Sequence, residues 1–249
     1  MNDKLLAIFN GVESYHWWFL GRRFLLEKII KKYGGGKKDV KILDVGCGSG
    51  GNIEFLSQFG KVYGVDKSSL AINYCKKRGF KNVSQADATK LPFKEKQFDI
   101  VLLLDVLEHI KDDKRALQEA RRVLKDNGLI ILTAPALPFI WSKHDQMQGH
   151  FRRYKKTDFH ELADKLDLEI QRLSYFNTFL LVPIGIIRKL SVLKPFGRLG
   201  EYDSKINFDI AKFTLLNKLL LGIFKTEINL SEILEYPAGV SLVGVFVKK

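Results

Sequence analysis

The sequence is poor in cysteine and has no long uninterrupted apolar run. Its 249 residues include only two cysteines, Cys47 and Cys75. Two thiols exclude a disulfide framework and a zinc site built from several cysteine ligands, so we expect a reducing cytosol. The first residues lack the apolar centre of a secretion signal, which also predicts a cytoplasmic location.

Acidic residues are outnumbered by basic ones, 28 to 41, and the net charge is +13. A basic surface attracts both nucleic acid and anionic membranes. Alternatively, the lysines form an ordinary solvated surface. We find no internal repeat and no low-complexity tract. With 46% hydrophobic residues, the chain can bury one sizeable core as a single elaborated domain.

Residues 42–52 combine an apolar strand, an aspartate and a glycine cluster. The glycines are Gly46, Gly48, Gly50 and Gly51. They allow the backbone to turn sharply and to approach a ligand closely at a helix N-terminus. The pattern predicts a loop that binds a nucleotide-type cofactor.

Gly46, Gly48 and Gly51 also satisfy the dinucleotide fingerprint, with Asp66 as its acidic residue. However, Asp44 precedes the loop, where a carboxylate repels the phosphates of a nicotinamide cofactor and attracts an amine. S-adenosylmethionine carries an α-amino group and a sulfonium but no phosphate, so it suits this loop better. Alternatively, Asp44 only fixes the loop backbone.

Four motifs follow in order and resemble class I S-adenosylmethionine-dependent methyltransferases. They lie at 61–66, 83–93, 98–110 and 121–133. The resemblance implies an α/β fold: a Rossmann-like, doubly wound, mostly parallel sheet of seven strands with a helical insertion before the last strand.

The resemblance also implies roles for individual residues. Asp66 binds both ribose hydroxyls, the Asp87 carboxylate accepts from the adenine amine, and the Ala88 amide donates to the ring. The cofactor-binding residues that we predict are Asp44, Gly46, Cys47, Gly48, Gly50, Asp66, Lys67, Asp87, Ala88, Asp105 and Arg22.

Apolar patterning alternates between strands and helices, which indicates a parallel sheet covered on both faces. The predicted strands lie near 41–45, 61–65, 82–86, 98–104, 128–134, 167–175 and 240–248. The predicted helices lie near 22–33, 51–58, 68–78, 112–124 and 157–166. We divide the chain into a cofactor-covering helical segment, 1–36, and a methyltransferase domain, 37–249. The domain includes an acceptor loop, 135–160, and a helical insertion, 176–237.

Residues 13–23 resemble an aromatic-then-arginine segment that covers the cofactor in a subgroup of these enzymes. Arg22 is the candidate for the cofactor carboxylate, with Arg23 in reserve. An amphipathic helix that docks Trp17 and Phe19 on the sheet is a compatible interpretation.

Residues 141–154 are rich in polar and aromatic side chains and resemble an H-D-x-x-x-G-H-x-R-R-Y pattern. The pattern occurs in a subgroup often associated with cell-envelope glycan and lipid pathways. The substrate-binding residues that we predict are Asp145, Arg152, Arg153 and Tyr154. His144 and His150 are candidate catalytic bases. Alternatively, one arginine pairs with Asp145 to hold the loop closed, and the histidines only form structural hydrogen bonds.

Asp105, Glu108 and His109 are spaced to share one face of a helical turn. A similar arrangement binds magnesium in some ubiquinone-pathway O-methyltransferases and small-RNA end methyltransferases, but it also occurs in relatives with no known metal. We predict no metal. Asp105 then lines the methionine end of the cofactor, and His109 lines the acceptor cleft or acts as a catalytic base.

The insertion contains two apolar stretches, 179–187 and 213–224, each too short to span a bilayer. Basic residues flank both. These flanked stretches predict one of two structures. One is an interfacial helix that docks on anionic lipid or covers a lipid-linked acceptor, and the other is an ordinary helical cap. The interfacial helix would bring the protein into peripheral contact with the inner face of the membrane.

These observations predict an S-adenosylmethionine-dependent methyltransferase (EC 2.1.1.-) whose product is S-adenosylhomocysteine. The acceptor that we expect is a hydroxyl or carboxyl on a small molecule, glycan or lipid-linked molecule. RNA methylation is the alternative that the charge favours. A non-catalytic cofactor-binding partner subunit and a nicotinamide oxidoreductase fit the intact cofactor motifs less well.

Overall fold

A computed structural model describes residues 3–36, 39–192 and 213–248 of the chain. Seven strands form one sheet: β1 Lys41–Val45, β2 Lys61–Asp66, β3 Val83–Gln85, β4 Phe98–Leu104, β5 Leu124–Pro135, β6 Leu168–Phe176 and β7 Ser241–Lys248. The order is β3-β2-β1-β4-β5-β7-β6, in which β7 pairs antiparallel with both β5 and β6. This confirms the predicted mostly parallel, doubly wound sheet.

Nine helices cover the described parts of this sheet: α1 Asp3–Val12, α2 Trp17–Tyr33, α3 Ile53–Leu56, α4 Ser69–Lys77, α5 Asp113–Val123, α6 Lys143–Gln148, α7 Lys156–Lys165, α8 Leu181–Val192 and α9 Thr214–Leu230. Helices α1 and α6 were not predicted, and α2 begins five residues before its predicted start. Residues 193–212 of the predicted insertion lie outside the described residues.

Two apolar layers hold helices to opposite faces of the sheet. Strand β4 shows why: Leu103 packs into the layer beneath α5 and α7, whereas Leu102 and Leu104 pack into the layer beneath α2, α4 and α9. Successive side chains of a strand point to opposite faces, so an almost continuous apolar strand supplies both layers.

The strand order reverses between β1 and β4, because the chain winds outward in one direction to β3 and in the other to β5. In open α/β sheets, ligands bind outside the carboxyl ends of the strands at such a switch point. The glycine loop after β1 and the turn after β4 therefore border the same crevice.

Candidate active site

A cavity of about 1150 Å³ opens at the carboxyl ends of the strands. Its walls come from the glycine loop, from the ends of β2, β4, β6 and β7, from α1 and α2, and from α8. Pockets for single small ligands span roughly 300–1,000 Å³, so this cavity has room for a cofactor and an acceptor together.

The glycine loop is shaped by close contacts that exclude side chains. Gly46 has a left-handed φ of +73°, and a Cβ atom there would lie 2.5 Å from Cγ2 of Val106. At Gly51, a Cβ atom would lie 2.2 Å from Oε2 of Glu13. The N-terminal segment therefore packs directly on the loop backbone.

Glu13 anchors this segment, although sequence reasoning missed it. Its side chain is buried, accepts a 2.9 Å hydrogen bond from the Ser49 hydroxyl and forms a 2.6 Å ion pair with Arg78, which directly follows α4. Arg78 also donates to the Asn10 side chain at 2.8 Å. The only signal in the sequence is a lone acid at the start of an aromatic stretch.

Asp44 lies at the carboxyl end of β1 with its side chain fully buried. Oδ2 of Asp44 has no hydrogen-bond partner among the described residues. Burial raises the pKa of this carboxyl from 3.8 to about 7. A buried carboxylate needs a cationic partner, so the site fits the α-amino group of S-adenosylmethionine.

Asp66 ends β2 and lines the cavity at the other side of the loop. Its two carboxylate oxygens accept hydrogen bonds from the amides of Gly48 and Ser68, at 3.0 and 2.8 Å. These bonds fix the carboxylate at the cavity wall, where its remaining lone pairs can accept from hydroxyls.

The predicted adenine residues also line the cavity. Asp87 pairs with Lys67 at 3.1 Å, next to Ala88. Hydrogen bonds from the Thr89 amide and hydroxyl lower the pKa of Asp87. Cys47 is buried in the loop and also belongs to the lining of the cavity.

Arg22 and Asp105, far apart in the sequence, form a 2.5 Å ion pair inside the cavity. Asp105 also accepts from the Thr133 hydroxyl at 3.0 Å. Nε of Arg22 is buried and has no partner in the described part of the chain. The pair therefore joins the N-terminal segment to the end of β4 and leaves a donor for an anionic group.

A second cluster in the same cavity consists of Glu108, His109 and His150. One potential ligand atom from each lies within 4.8 Å of the others, so these three residues could hold a metal ion. The predicted alternative set contained Asp105 instead of His150, but Asp105 is paired with Arg22. Glu108 is fully buried, its Oε2 has no partner among the described residues, and burial raises its pKa.

The two histidines of the cluster have defined orientations. Nδ1 of His109 lies 3.3 Å from the carbonyl oxygen of Gly149, and Nδ1 of His150 lies 3.0 Å from Oδ1 of Asp145. Both oxygens can only accept, so both rings carry a proton on Nδ1 and keep a lone pair on Nε2. The ring centroids are 4.8 Å apart, and burial lowers the pKa of His109 to about 4.

His144 lies deeper in the cavity wall. Its Nε2 is 2.7 Å from Nε2 of Gln148, and burial lowers its pKa to about 3. His144 is therefore neutral over the physiological pH range. Its side chain belongs to the lining of the large cavity.

Asp145 organises this segment from within. Oδ2 of Asp145 accepts from the amide of Ser142 at 3.0 Å in a capping box at the start of α6. Nε of Arg153 donates to Oδ1 at 2.8 Å, and the same arginine donates to the Ala136 carbonyl. Both members of the pair are buried, which matches the hypothesis that one arginine holds the loop closed.

Arg152 and Tyr154 do not reach the large cavity. Both contact Asp113 at the start of α5, at 2.6 and 2.7 Å, and border a separate hollow of about 310 Å³. Tyr154 also stacks on Phe159 in the core. Arg153 borders this hollow as well as the large cavity, whereas Arg152 and Tyr154 border the hollow alone.

Asn177 is a cavity residue that the sequence did not reveal. It follows β6 with a left-handed φ of +58°, is 3% exposed, and its Oδ1 has no partner within the described residues. Asparagine is common in turns, so its presence at this position does not indicate a binding role.

Comparisons with known proteins agree with this geometry. A family described as a methyltransferase domain matches residues 43–132. The 2-phytyl-1,4-naphtoquinone methyltransferase of Trichormus variabilis is 30% identical over 185 residues, which cover 68% of this chain and 79% of that protein.

Two further comparisons extend these matches. Phosphoethanolamine N-methyltransferase 2 of Caenorhabditis elegans is 32% identical over 53% of this chain and 33% of its own length. A SAM-dependent methyltransferase structure from Aquifex aeolicus has a TM-score of 0.52 at 20% identity, over 70% of this chain and 93% of that one. The chain belongs to the class I S-adenosylmethionine-dependent methyltransferases.

Proposed function

We propose that the chain methylates an oxygen, preferably a hydroxyl rather than a carboxyl, on a small molecule, glycan or lipid-linked acceptor. The observation that carries the proposal is the 3.0 Å contact between Asp145 and Nδ1 of His150. It leaves the basic Nε2 of a cavity histidine available, and a hydroxyl acceptor needs such a base.

His150 accepts the hydroxyl proton on Nε2 while the acceptor oxygen attacks the methyl carbon in line. Asp145 keeps the imidazole in the required tautomer and stabilises the imidazolium that forms. S-adenosylmethionine supplies the methyl group, and the electrons of the broken carbon–sulfur bond remain on sulfur. Neutral His109, whose ring packs against His150, adds no competing positive charge.

The cofactor half of the cavity supports the same reaction by fixing the methyl donor. Asp44 binds the α-amino group and Arg22 the carboxylate, while Asp66 binds the ribose. Alignment of donor and acceptor is the main contribution of a protein to this kind of transfer.

Relatives do not decide the acceptor, because one is named for a quinone and another for phosphoethanolamine. The cavity itself favours an acceptor with an apolar body. Four side chains around the start of α8 line the acceptor side: Leu180, Pro183, Ile184 and Ile187. They line the same cavity as the histidine cluster, which suits an acceptor with a polar group on an apolar body.

The test uses purified full-length chain, methyl-labelled S-adenosylmethionine and an extract of its own cells. We expect label in the organic or small-molecule fraction with the native chain and little with His150→Ala. His160→Ala is the matched control, because His160 is exposed on α7. Calorimetry should show that His150→Ala still binds the cofactor.

Label released as methanol by mild alkali indicates a carboxyl ester and contradicts the preference for a hydroxyl, whereas label that survives excludes such an ester. Equal labelling by His150→Ala contradicts the proposed base. Labelling that disappears after treatment with a chelator and returns with a divalent cation assigns His150 to metal binding instead. Label in RNA makes the basic surface the acceptor site and overturns the proposal.

A further inference from the structure

Helix α8 has two apolar faces, and only one of them belongs to the cavity. Pro183, Ile184 and Ile187 line the cavity. Val182, Ile186 and Leu190, which we call the outer stripe, recur at intervals of four residues and so share another face. Their exposed fractions are 68%, 55% and 37%. The helix is thus a single-layer wall between the acceptor space and an apolar outer surface.

The outer stripe has apolar neighbours. Phe179, just before the helix, is 46% exposed. Phe139 is 65% exposed on the short 3-10 helix Pro138–Ile140, which packs against α8. Single exposed apolar residues are ordinary, but a group on adjacent elements marks a surface that meets another apolar phase.

The charges around the stripe are of one sign. Helix α8 contains no acidic residue and carries exposed Lys189 beside the stripe. With a net charge of +13, this side of the molecule complements an anionic surface.

We propose that the outer stripe docks on an anionic lipid surface. No described helix is long and apolar enough to cross a membrane, so α8 lies in the interface with its apolar face among the acyl chains and its lysine ammonium among the headgroups. If the acceptor is lipid-linked, which rests on the proposed function, it has to pass only this one helix to reach the histidine cluster.

The test is flotation of the full chain with vesicles, without any methyl transfer. We expect binding to an equal mixture of phosphatidylcholine and phosphatidylglycerol, little binding to phosphatidylcholine alone, and weaker binding at high salt. The triple variant V182Q/I186Q/L190Q should bind the mixed vesicles at least about tenfold more weakly, because it removes the buried apolar area. Glutamine keeps good helix propensity.

The control variant is I233Q/L234Q. It removes two equally exposed apolar residues after α9, with exposed fractions of 80% and 52%, and should bind vesicles as the native chain does. Both variants should retain native cofactor affinity by calorimetry, which shows that the cavity is intact.

Unchanged vesicle binding by the triple variant, or no binding by the native chain, overturns the proposal. If light scattering shows that the native chain is a dimer and the triple variant a monomer, and the native chain does not bind vesicles, the stripe contacts a second copy of the chain instead. Because no outcome depends on methyl transfer, failure here is distinguishable from failure of the proposed reaction.

Discussion

Two buried aspartates, Asp44 in the cofactor half and Asp145 in the acceptor segment, have opposite environments. Asp44 has an oxygen without a partner among the described residues, and its pKa rises to about 7 through burial. Burial acts on Asp145 as well, but hydrogen bonds and charge from His150 and Arg153 outweigh it and hold its pKa below the usual value. The Asp44 carboxylate is therefore available to a ligand, whereas the Asp145 carboxylate is occupied by contacts within the protein.

The difference shows that polar residues in a motif need not face a ligand. In the acceptor segment, Arg153, Ser142 and His150 satisfy Asp145 from three sides. In the cofactor half, Asp44 follows the buried apolar residues Ile42 and Leu43 in β1, and its Oδ2 has no partner among the described residues. Four substitutions test this contrast.

Asp145→Ala should have the largest effect on stability. It leaves Arg153 buried without its carboxylate, and breaking a buried pair costs about 3–5 kcal/mol. Urea unfolding measures the loss. The control, exposed Asp164→Ala, should stay within about 0.5 kcal/mol of the native value. Similar values for both variants would contradict an organising role for Asp145.

Asp44→Asn should act on the cofactor instead. Loss of a charged hydrogen bond of about 1.5–3 kcal/mol predicts weaker cofactor binding by roughly tenfold to a hundredfold. For the native chain, calorimetric affinity should also improve as the pH rises through about 7, because the α-amino group needs the ionised carboxylate. Asp44→Asn should lose this pH dependence, and its persistence would refute the pairing.

Asp44 should also make the free energy of unfolding depend on pH when no cofactor is bound. The folded pKa of Asp44 lies near 7, above the ordinary 3.8, so its stabilising contribution is complete below about pH 4 and is lost as the pH rises to 7. Asp44→Asn should therefore unfold with the native free energy at pH 4 and be more stable, on the order of 3 kcal/mol, at pH 8. Parallel pH curves would disprove the raised pKa.

Glu13→Ala should have a smaller effect, confined to the N-terminal segment. Removing the contacts to Ser49 and Arg78 should cost about 1–2 kcal/mol. Limited proteolysis should then cut near α1 more readily, and cofactor affinity should fall. Glu27→Ala is the control, since Glu27 pairs only with Lys31 on the surface. Equal proteolysis of the two variants would argue against an anchor at Glu13.

Arg152→Ala should have the smallest effect. Its ion pair with Asp113 is partly exposed, so it contributes about 0–1 kcal/mol. Because the side chain lies outside the cavity, methyl transfer in the labelling assay should remain near native. A strong loss of transfer with unchanged stability would restore Arg152 as a substrate-binding residue.

The sequence predicted the sheet well because periodicity and glycine spacing are local properties. Strands β1 and β4 lie at their predicted positions, and the glycine loop follows β1 as expected. Helix α6 was missed because five of its six residues are polar and because its start depends on the Ser142–Asp145 capping box. Such a short helix forms only in its tertiary setting.

The sequence by itself indicated the family, the cofactor and a doubly wound, mostly parallel sheet, since each rests on residues close together in the chain. Only the tertiary structure decided which side chains meet: Arg22 with Asp105, Glu13 with Arg78, and His109 with His150. It also separated Arg152 from Arg153, one residue apart. Side chains that are adjacent in the sequence can form contacts in different parts of the structure. The residues that pair with a charged side chain, and so determine its role, lie in distant segments of the chain.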